Sequence, residues 1–377
     1  MKKGDLRKVP DDFVHSERWW RTDIPSEIIL SKNGVSDLFG LLKERKTKPF
    51  FILDKALVGQ EKFKLFLGRD SSFLFLFDAT ASEPKTGDVD ALVRSIKERN
   101  LDPDVIVGVG GGGTMDLAKA VAICLKNPRF AAEYQGWGLD MVSGVDAWVM
   151  PTLIGTGAEL TPIAVLRGPQ KKLGINTPFV AAKVAVIDPQ LSEGAKKFNR
   201  FFTMMDCFYH HYEITLSKTS ARDAILDAED GLALSRDVLS RSLSEYDFEI
   251  AAMSAKASVL GGSSTIGGRV GAAHAISYGL SNAGPRLPHS VAVTISMLGL
   301  ADLYRGGGYD ETLRYLDVNG FPVPKARDYD IEVSQVDGMV KTALGMDKLW
   351  LSHFGEGWEK TVTPDFLKDV YTRIVTA

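Results

Sequence analysis

The chain has 377 residues, with 45 Lys and Arg against 48 Asp and Glu, so its formal net charge at pH 7 is −3. This balance excludes the basic footprint of a nucleic-acid-binding protein, and small molecules are the expected partners. No segment approaches the roughly 20 apolar residues of a membrane span, and the first twenty residues lack the apolar core of an export signal. The two cysteines are too few for a disulfide framework, so we expect a cytoplasmic protein.

Strand-like and helix-like segments alternate through the first half of the chain. The β-rich runs are "SEIILS", "PFFILDK", "SFLFLFD", "DVIVGVG", "AWVMPTLIG" and "VAVIDP". Alternation with helices predicts a parallel sheet covered by helices, whereas apolar residues recur at helical spacing after "IDPQLS". We predict an α/β, Rossmann-like domain over residues 1–188 and an all-helical domain over 189–377, because the length suffices for two cores.

The stretch "VIVGVGGGGTMDLAKA", residues 105–120, has four consecutive glycines between a strand and a helix. Backbone amides and the positive end of the helix dipole would meet there, which suits a phosphate. A Cβ would hold phosphate oxygens away, and several of these positions are expected to need a positive φ. We interpret Gly110, Gly111, Gly112 and Gly113 as a pyrophosphate cradle; the alternative is a tight turn without a ligand.

Two further features could contact the same ligand. The loop "PTLIGTGAELT" follows another strand, and its hydroxyls on Thr152, Thr156 and Thr161 could bind a second part of the ligand, although an ordinary turn is equally compatible. Asp54 ends an early strand, where it could accept a hydrogen bond from a ribose hydroxyl. Its alternative role is to cap the following helix.

The segment "MMDCFYHHYE" places Asp206 and His210 four residues apart, which puts both on one face of a helix. His274 and His289 follow downstream, and the chain has only six histidines. One aspartate with three histidines suits Zn²⁺ or Fe²⁺. The alternative is a helical pair plus two unrelated loop histidines.

In this order, the glycine run, the threonine-rich loop, "VIDPQL", "MMDCFYHHYE" and "HAISYGLSNAGPRLPHS" resemble the iron-containing (group III) alcohol dehydrogenases, relatives of dehydroquinate synthase. The resemblance runs through almost the whole chain. The family motif GGGSxxD falls on residues 110–116, with Gly113 in place of serine. The motif PTTxGTGSE falls on residues 151–159, with Ala158 in place of serine.

The resemblance implies a dehydroquinate-synthase-like fold, a nicotinamide cofactor and a divalent metal in a cleft between two domains, and a homodimer. It adds Thr114 and Asp116 to the cofactor residues and places Asp54 where NAD is distinguished from NADP. The implied metal ligands are Asp206, His210, His274 and His289. Fe²⁺, Zn²⁺ and Co²⁺ would all accept this set.

One departure from the family concerns catalysis. Many members carry a further histidine four residues after the third ligand, where this chain has Tyr278. Tyrosine is a poorer base near neutral pH because its ordinary pKa is about 10. We expect His274 and Tyr278 to act in catalysis, while His211 would point about 100° away from His210 and is expected to be structural.

The expected reaction is NAD-linked oxidation of a primary hydroxyl to an aldehyde, with the metal as Lewis acid. Arg269 and Arg286 precede two ligands and would suit a substrate carboxylate or phosphate, although ion pairs within the helical domain are the favoured alternative. One branch that the chain resembles is the 3-deoxy-manno-octulosonate 8-oxidases of lipopolysaccharide biosynthesis. Two alternatives are a dehydroquinate-synthase-like lyase and a dehydrogenase of small neutral alcohols or polyols.

Overall fold

The computed structural model describes residues 26–68, 70–79 and 83–377, together with the backbone of residues 2–3 and 17–20. The expected absence of an export signal therefore concerns residues that lie mostly outside the described ranges. The chain divides into two compact units, residues 1–195 with 247–255 and residues 196–246 with 256–377. The domain boundary at residue 188 stays a prediction.

The first unit contains a large, mainly parallel sheet and a small one. The strands are β1 (Lys2–Lys3), β2 (Glu17–Trp20), β3 (Glu27–Leu30), β4 (Pro49–Asp54), β5 (Leu74–Phe77), β6 (Val105–Gly110), β7 (Gly136–Trp137), β8 (Asp146–Pro151), β9 (Ile163–Arg167), β10 (Lys172–Asn176) and β11 (Val184–Ile187). The large sheet has the order β1-β2-β3-β11-β8-β6-β4-β5, and the small one β7-β10-β9. All neighbours from β3 to β5 in the large sheet pair parallel.

Helices cover both faces of the large sheet. Those of the first unit are α1 (Gly34–Glu44), α2 (Lys64–Leu67), α3 (Thr86–Glu98) and α4 (Gly112–Cys124). Side chains of β4 alternate between the faces: Phe51 and Leu53 join the core formed with α1 and α2, whereas Phe50 and Ile52 join the core formed with α3 and α4. This two-residue period follows from strand geometry. Because β4, β6 and β8 run parallel, their carboxyl ends meet at one edge of the sheet.

The second unit is built from helices. In chain order they are α5 (Lys197–Thr215), α6 (Arg222–Leu239), α7 (Phe248–Gly267, whose first residues group with the first unit), α8 (Ala272–Ala283), α9 (His289–Gly299), α10 (Ala301–Tyr304), α11 (Gly308–Val318), α12 (Val336–Leu344), α13 (Asp347–Phe354) and α14 (Pro364–Thr376). Helix α9 packs against both α5 and α8. The predicted fold class, a parallel α/β domain followed by a helical region, is confirmed. Among the described residues, no helix is both long and apolar enough to cross a membrane.

Candidate functional site

The glycine run connects β6 to α4. Gly110 ends the strand, Gly111 is the N-cap residue and the helix begins at Gly112. The first amides of a helix have no acceptor within the helix, so those of α4 are free to bind a ligand at this end. Gly111 leaves its neighbourhood open, because the nearest described atom to a Cβ there would be Leu153 Cβ, at 3.7 Å. The backbone is thus approachable at the N-terminus of α4.

The expectation of positive φ in the glycine run is wrong. Gly111 has φ −75°, and none of the four glycines has a positive φ. Close packing explains Gly110, because a Cβ there would lie 2.6 Å from Thr114 Oγ1 and 2.9 Å from Asp54 Cβ. The strand and the helix therefore meet too closely at Gly110 for any side chain.

Positive φ occurs instead in the loop after β8, at Gly155 (132°) and Gly157 (67°). This loop lies beside the glycine run, because Thr152 N donates to Gly110 O at 2.9 Å and a Cβ on Gly112 would be 3.1 Å from Thr156 Oγ1. The structure thus brings two of the three predicted threonines next to the start of α4.

Two other predicted cofactor residues have partners within the protein. Asp116 pairs with Lys119 Nζ at 2.9 Å and accepts from Val165 N at 3.1 Å. Thr161 Oγ1 lies 3.4 Å from the same ammonium, which also donates to Ala158 O at 2.8 Å. Sequence reasoning missed Lys119, whose signal is a charged residue one turn after Asp116 in an otherwise apolar helix.

Asp54 and Thr114 flank Gly110. The Asp54 carboxylate accepts from Ala56 N at 3.0 Å, so the capping alternative is observed, and burial raises its pKa. The Thr114 hydroxyl is buried without a hydrogen-bond partner in the described part of the chain. It is therefore an unsatisfied group beside the candidate cradle.

All four predicted metal ligands come together in the second unit. Helix α5 carries Asp206 and His210, α8 carries His274 in its first turn, and α9 begins at His289. Donor atoms of Asp206, His210 and His274 all lie within 4.8 Å of one another. Asp206 Oδ1 is 3.6 Å from His274 Nε2 and 3.9 Å from His289 Nε2.

The chemistry of this cluster fits a divalent cation. Asp206 Oδ1, His210 Nδ1 and His274 Nε2 are buried and have no hydrogen-bond partner in the described part of the chain. Buried polar atoms without partners are costly, and a cation would satisfy them. Burial raises the pKa of Asp206, but the surrounding histidines outweigh it and hold that pKa well below its usual range.

The ligands differ in exposure. The His289 side chain is 34% exposed, whereas those of Asp206 and His274 are at most 4% exposed. Tyr278 lies one helical turn after His274, and the centres of the Tyr278 and His289 rings are 6.3 Å apart. The cluster therefore opens on the side of His289 and Tyr278.

Sequence reasoning missed Glu213, which lies on the same helix as Asp206 and His210. Its Oε2 is 2.5 Å from His274 Nδ1. Burial raises the pKa of Glu213, but its hydrogen bonds outweigh that effect and lower it to about 2. Burial lowers the pKa of His274, but the neighbouring carboxylates of Asp206 and Glu213 outweigh that effect and raise it. The spacing of seven residues from Asp206 is the signal that could have found Glu213.

The two predicted substrate arginines have different surroundings. Arg286 forms an ion pair with Asp330, and both side chains are more than two-thirds exposed. Arg269 is half-buried, and its guanidinium has no acidic partner within the described ranges. Its backbone is held by Ser220 Oγ at 3.1 Å and Ser352 Oγ at 2.8 Å. Among the described residues, the Arg269 guanidinium therefore has no acidic counter-ion, and its backbone is held in place.

His211 has the packing of a structural residue. Its ring is fully buried, Nε2 lies 3.0 Å from Ala257 O, and Gly231 leaves the space that the ring occupies. Burial lowers its pKa to about 3.

In the comparison with known proteins, one family model matches part of the first unit. The sequence model of the family "Iron-containing alcohol dehydrogenase" matches residues 25–189. Long-chain-alcohol dehydrogenase 1 of Geobacillus thermodenitrificans is 30% identical over 186 residues, which cover 47% of this chain and 46% of that protein. NAD-dependent methanol dehydrogenase of Bacillus methanolicus is 25% identical over 290 residues, 73% of each chain.

The fold is shared over nearly the full length of a solved structure. The NAD⁺ complex of sulfoacetaldehyde reductase from Bifidobacterium kashiwanohense superposes with a TM-score of 0.79, at 21% identity, covering 95% of this chain and 99% of that one. By sequence, the chain spans about half the length of the Geobacillus relative. The family model thus covers less than half of the chain, and the solved structure shows a shared fold.

Proposed function

We propose that this chain is an NAD-dependent, metal-containing alcohol dehydrogenase that interconverts a primary alcohol and an aldehyde. The observation that carries the proposal is the buried cluster in which Asp206 Oδ1 and His274 Nε2 lie 3.6 Å apart and find no hydrogen-bond partner among the described residues. Relatives named as alcohol dehydrogenases, one of them NAD-dependent, support it.

The metal would be held by Asp206, His210, His274 and His289. A bound divalent cation supplies a Lewis acid for the oxygen of the substrate. One carboxylate with three neutral imidazoles leaves a net charge of +1 at the site, which favours a developing negative charge on that oxygen. Fe²⁺, Zn²⁺ and Co²⁺ are all compatible with these donors.

The N-terminus of α4 would hold the pyrophosphate of NAD. Gly111 leaves room for phosphate oxygens, and the first amides of α4 supply donors. Thr114 and Thr156 would add hydroxyls at this end, and Asp54 would accept from a ribose hydroxyl. Gly110, Gly112 and Gly113 shape the cradle through close packing, while Thr152, Thr161 and Asp116 would support the loops around it.

Tyr278 would face the substrate on the open side of the metal site. Its ring lies beside His289, whose side chain is more exposed than those of Asp206 and His274. In this position its hydroxyl would accept a proton that leaves the substrate hydroxyl and transfer it to solvent. A phenylalanine at this position keeps the ring and removes that capacity.

The substrate would carry an anionic group, with Arg269 as its counter-ion. A half-buried guanidinium without an acidic partner is costly, and a carboxylate, sulfonate or phosphate would pair with it. The solved relative named as a sulfoacetaldehyde reductase supports an anionic substrate class. A sugar acid with a terminal CH₂OH, such as 3-deoxy-manno-octulosonate, belongs to this class.

The test is NADH formation by the metal-reconstituted protein with methanol, longer alcohols, glycerol, propanediol, a 2-sulfonated alcohol and several sugar acids including 3-deoxy-manno-octulosonate. Activity confined to the acidic alcohols supports the full proposal. Activity on neutral alcohols alone supports the dehydrogenase activity and contradicts the role of Arg269 in substrate binding. Absence of NADH with every alcohol contradicts the proposal and favours the lyase alternative. The homodimer and the cytoplasmic location stay predictions.

A further inference from the structure

Glu213 is the most heavily hydrogen-bonded buried carboxylate near the metal cluster. It lies on α5, one helical turn after His210, and is 1% exposed. Its two oxygens accept from His274 Nδ1 at 2.5 Å, Tyr304 Oη at 2.5 Å, Ala273 N at 2.7 Å and Gly271 N at 3.0 Å. A single side chain therefore connects α5 to the first turn of α8.

The contact with His274 decides which imidazole nitrogen faces Asp206. A neutral imidazole has one N–H donor and one acceptor nitrogen. Because Glu213 is an acceptor at Nδ1, the proton is held there, and the lone pair is left on Nε2. That nitrogen lies 3.6 Å from Asp206 Oδ1 and has no hydrogen-bond partner in the described ranges.

The backbone contacts fix the position of His274 as well as its protonation. Glu213 accepts from the amides of Gly271 and Ala273, which are the N-cap and second residue of α8. A carboxylate at this end of a helix is also favoured by the helix dipole. Glu213 thus holds the start of α8 at a set distance from the donors on α5.

We propose that Glu213 is a positioning residue that orients His274 for metal binding and sets the spacing between the donors of α5 and α8. This inference rests on the proposed metal site. Partners of this kind usually contribute 10- to 100-fold to metal affinity, because they fix the orientation and basicity of the ligating imidazole. Tyr304 has a smaller part, since it contacts Glu213 and not the imidazole of His274.

The experiment is a Co²⁺ titration of the metal-free full-length protein, with the absorption spectrum of bound Co²⁺ as the signal. For Glu213→Gln we expect a dissociation constant about 10- to 100-fold larger and an altered spectrum, because the amide cannot accept from all of these donors. Glu98→Gln, an exposed substitution in the other unit, is the matched control and should bind as the unsubstituted protein does. Unchanged affinity and spectrum in Glu213→Gln would overturn the positioning role.

Failure of the proposed metal site has a different signature, because the unsubstituted protein would then bind no Co²⁺, and failure of the dehydrogenase activity alone would leave Co²⁺ binding intact. A measurement without a variant covers the case in which Glu213→Gln does not fold. In the Zn²⁺-loaded protein labelled with ¹⁵N-histidine, we expect His274 to be protonated at Nδ1. A resonance pattern with the proton on Nε2 would contradict the inference. Tyr304→Phe should weaken Co²⁺ binding less than Glu213→Gln, and the reverse order would also contradict it.

Discussion

Lys119 and Asp116 form an ion pair of 2.9 Å inside α4, and Lys119 is fully buried. The ammonium also donates to the carbonyls of Ala158 and Ile163, at 2.8 and 2.5 Å. One side chain therefore ties α4, at whose N-terminus the glycine run lies, to the loop after β8.

Lys119→Met should destabilise the protein by about 3 to 5 kcal/mol, because it leaves the buried Asp116 carboxylate without its counter-charge. The free energy of unfolding in urea measures this effect. Lys126→Met, an exposed substitution just after α4, is the control and should change that free energy by less than about 0.5 kcal/mol. Equal stability of the two variants would contradict the role assigned to the buried pair.

Substitutions at Gly110 and Gly111 should affect different properties, stability at Gly110 and NAD affinity at Gly111. Gly110→Ala should lower stability by about 1 to 3 kcal/mol, because its Cβ would overlap Thr114 and Asp54. Gly111→Val should leave stability nearly unchanged and weaken NAD binding, because its side chain would fill the open space of the cradle. Thermal unfolding and NAD titration separate the two effects. Undiminished NAD affinity in Gly111→Val would contradict a pyrophosphate at this position.

His274→Ala should abolish turnover and leave NAD affinity within about twofold, because His274 belongs to the metal cluster and the glycine run is intact. NADH formation and NAD titration of the same preparation measure both quantities. The variant should also lose its bound metal, which metal analysis detects. Turnover retained at the level of the unsubstituted protein would reject His274 as a ligand.

Gly231→Ala should destabilise the second unit, because a Cβ there would lie 2.0 Å from the His211 ring. The ring cannot move freely, since it is buried and its Nε2 is hydrogen-bonded to Ala257 O. We expect a loss of at least about 1 to 3 kcal/mol. Gly338→Ala is the matched control: no atom of the described residues lies within 4 Å of its Cβ, and alanine in a helix should add about 0.5 to 1 kcal/mol. A Gly231 variant as stable as the Gly338 variant would contradict the packing of His211.

Arg269→Gln should raise the KM for an acidic alcohol by about tenfold or more, since an ion pair to a charged group contributes about 1.5 to 3 kcal/mol. Arg286→Gln should leave KM unchanged, because that guanidinium already pairs with Asp330 on the surface. Steady-state kinetics of both variants with one acidic and one neutral alcohol provide the comparison. Equal KM values for Arg269→Gln and the unsubstituted protein would contradict a contact between Arg269 and the substrate.

The parallel sheet and the proximity of Asp206 to His210 could be predicted from sequence, because each depends on local pattern; metal binding itself stays a prediction. Buried strands have β-branched runs, and Asp206 and His210 are four residues apart on one helix. The positive φ expected in the glycine run was wrong, because repeated glycine signals close approach as well as unusual backbone angles. At Gly110 the constraint is the close packing of two side chains. Thr114 lies four residues later, and Asp54 lies on a strand that is distant in sequence.

Helical spacing places Glu213 and Lys119 near Asp206 and Asp116, but their roles could not be assigned from sequence, because their other partners come from other elements. Glu213 contacts His274 and Tyr304, 61 and 91 residues away, and Lys119 contacts Ile163, 44 residues away. Charged residues in helices usually face solvent, and only tertiary structure reveals that these two are buried.

The most direct test of a metal-dependent, NAD-linked dehydrogenase is NADH formation by metal-free protein before and after one equivalent of Fe²⁺ or Zn²⁺ is added. With an alcohol substrate identified in the panel above, the cluster of Asp206, His210, His274 and His289 predicts no turnover before addition and turnover afterwards. Equal turnover without the metal would contradict the account, and so would the absence of turnover in protein that has bound both metal and NAD.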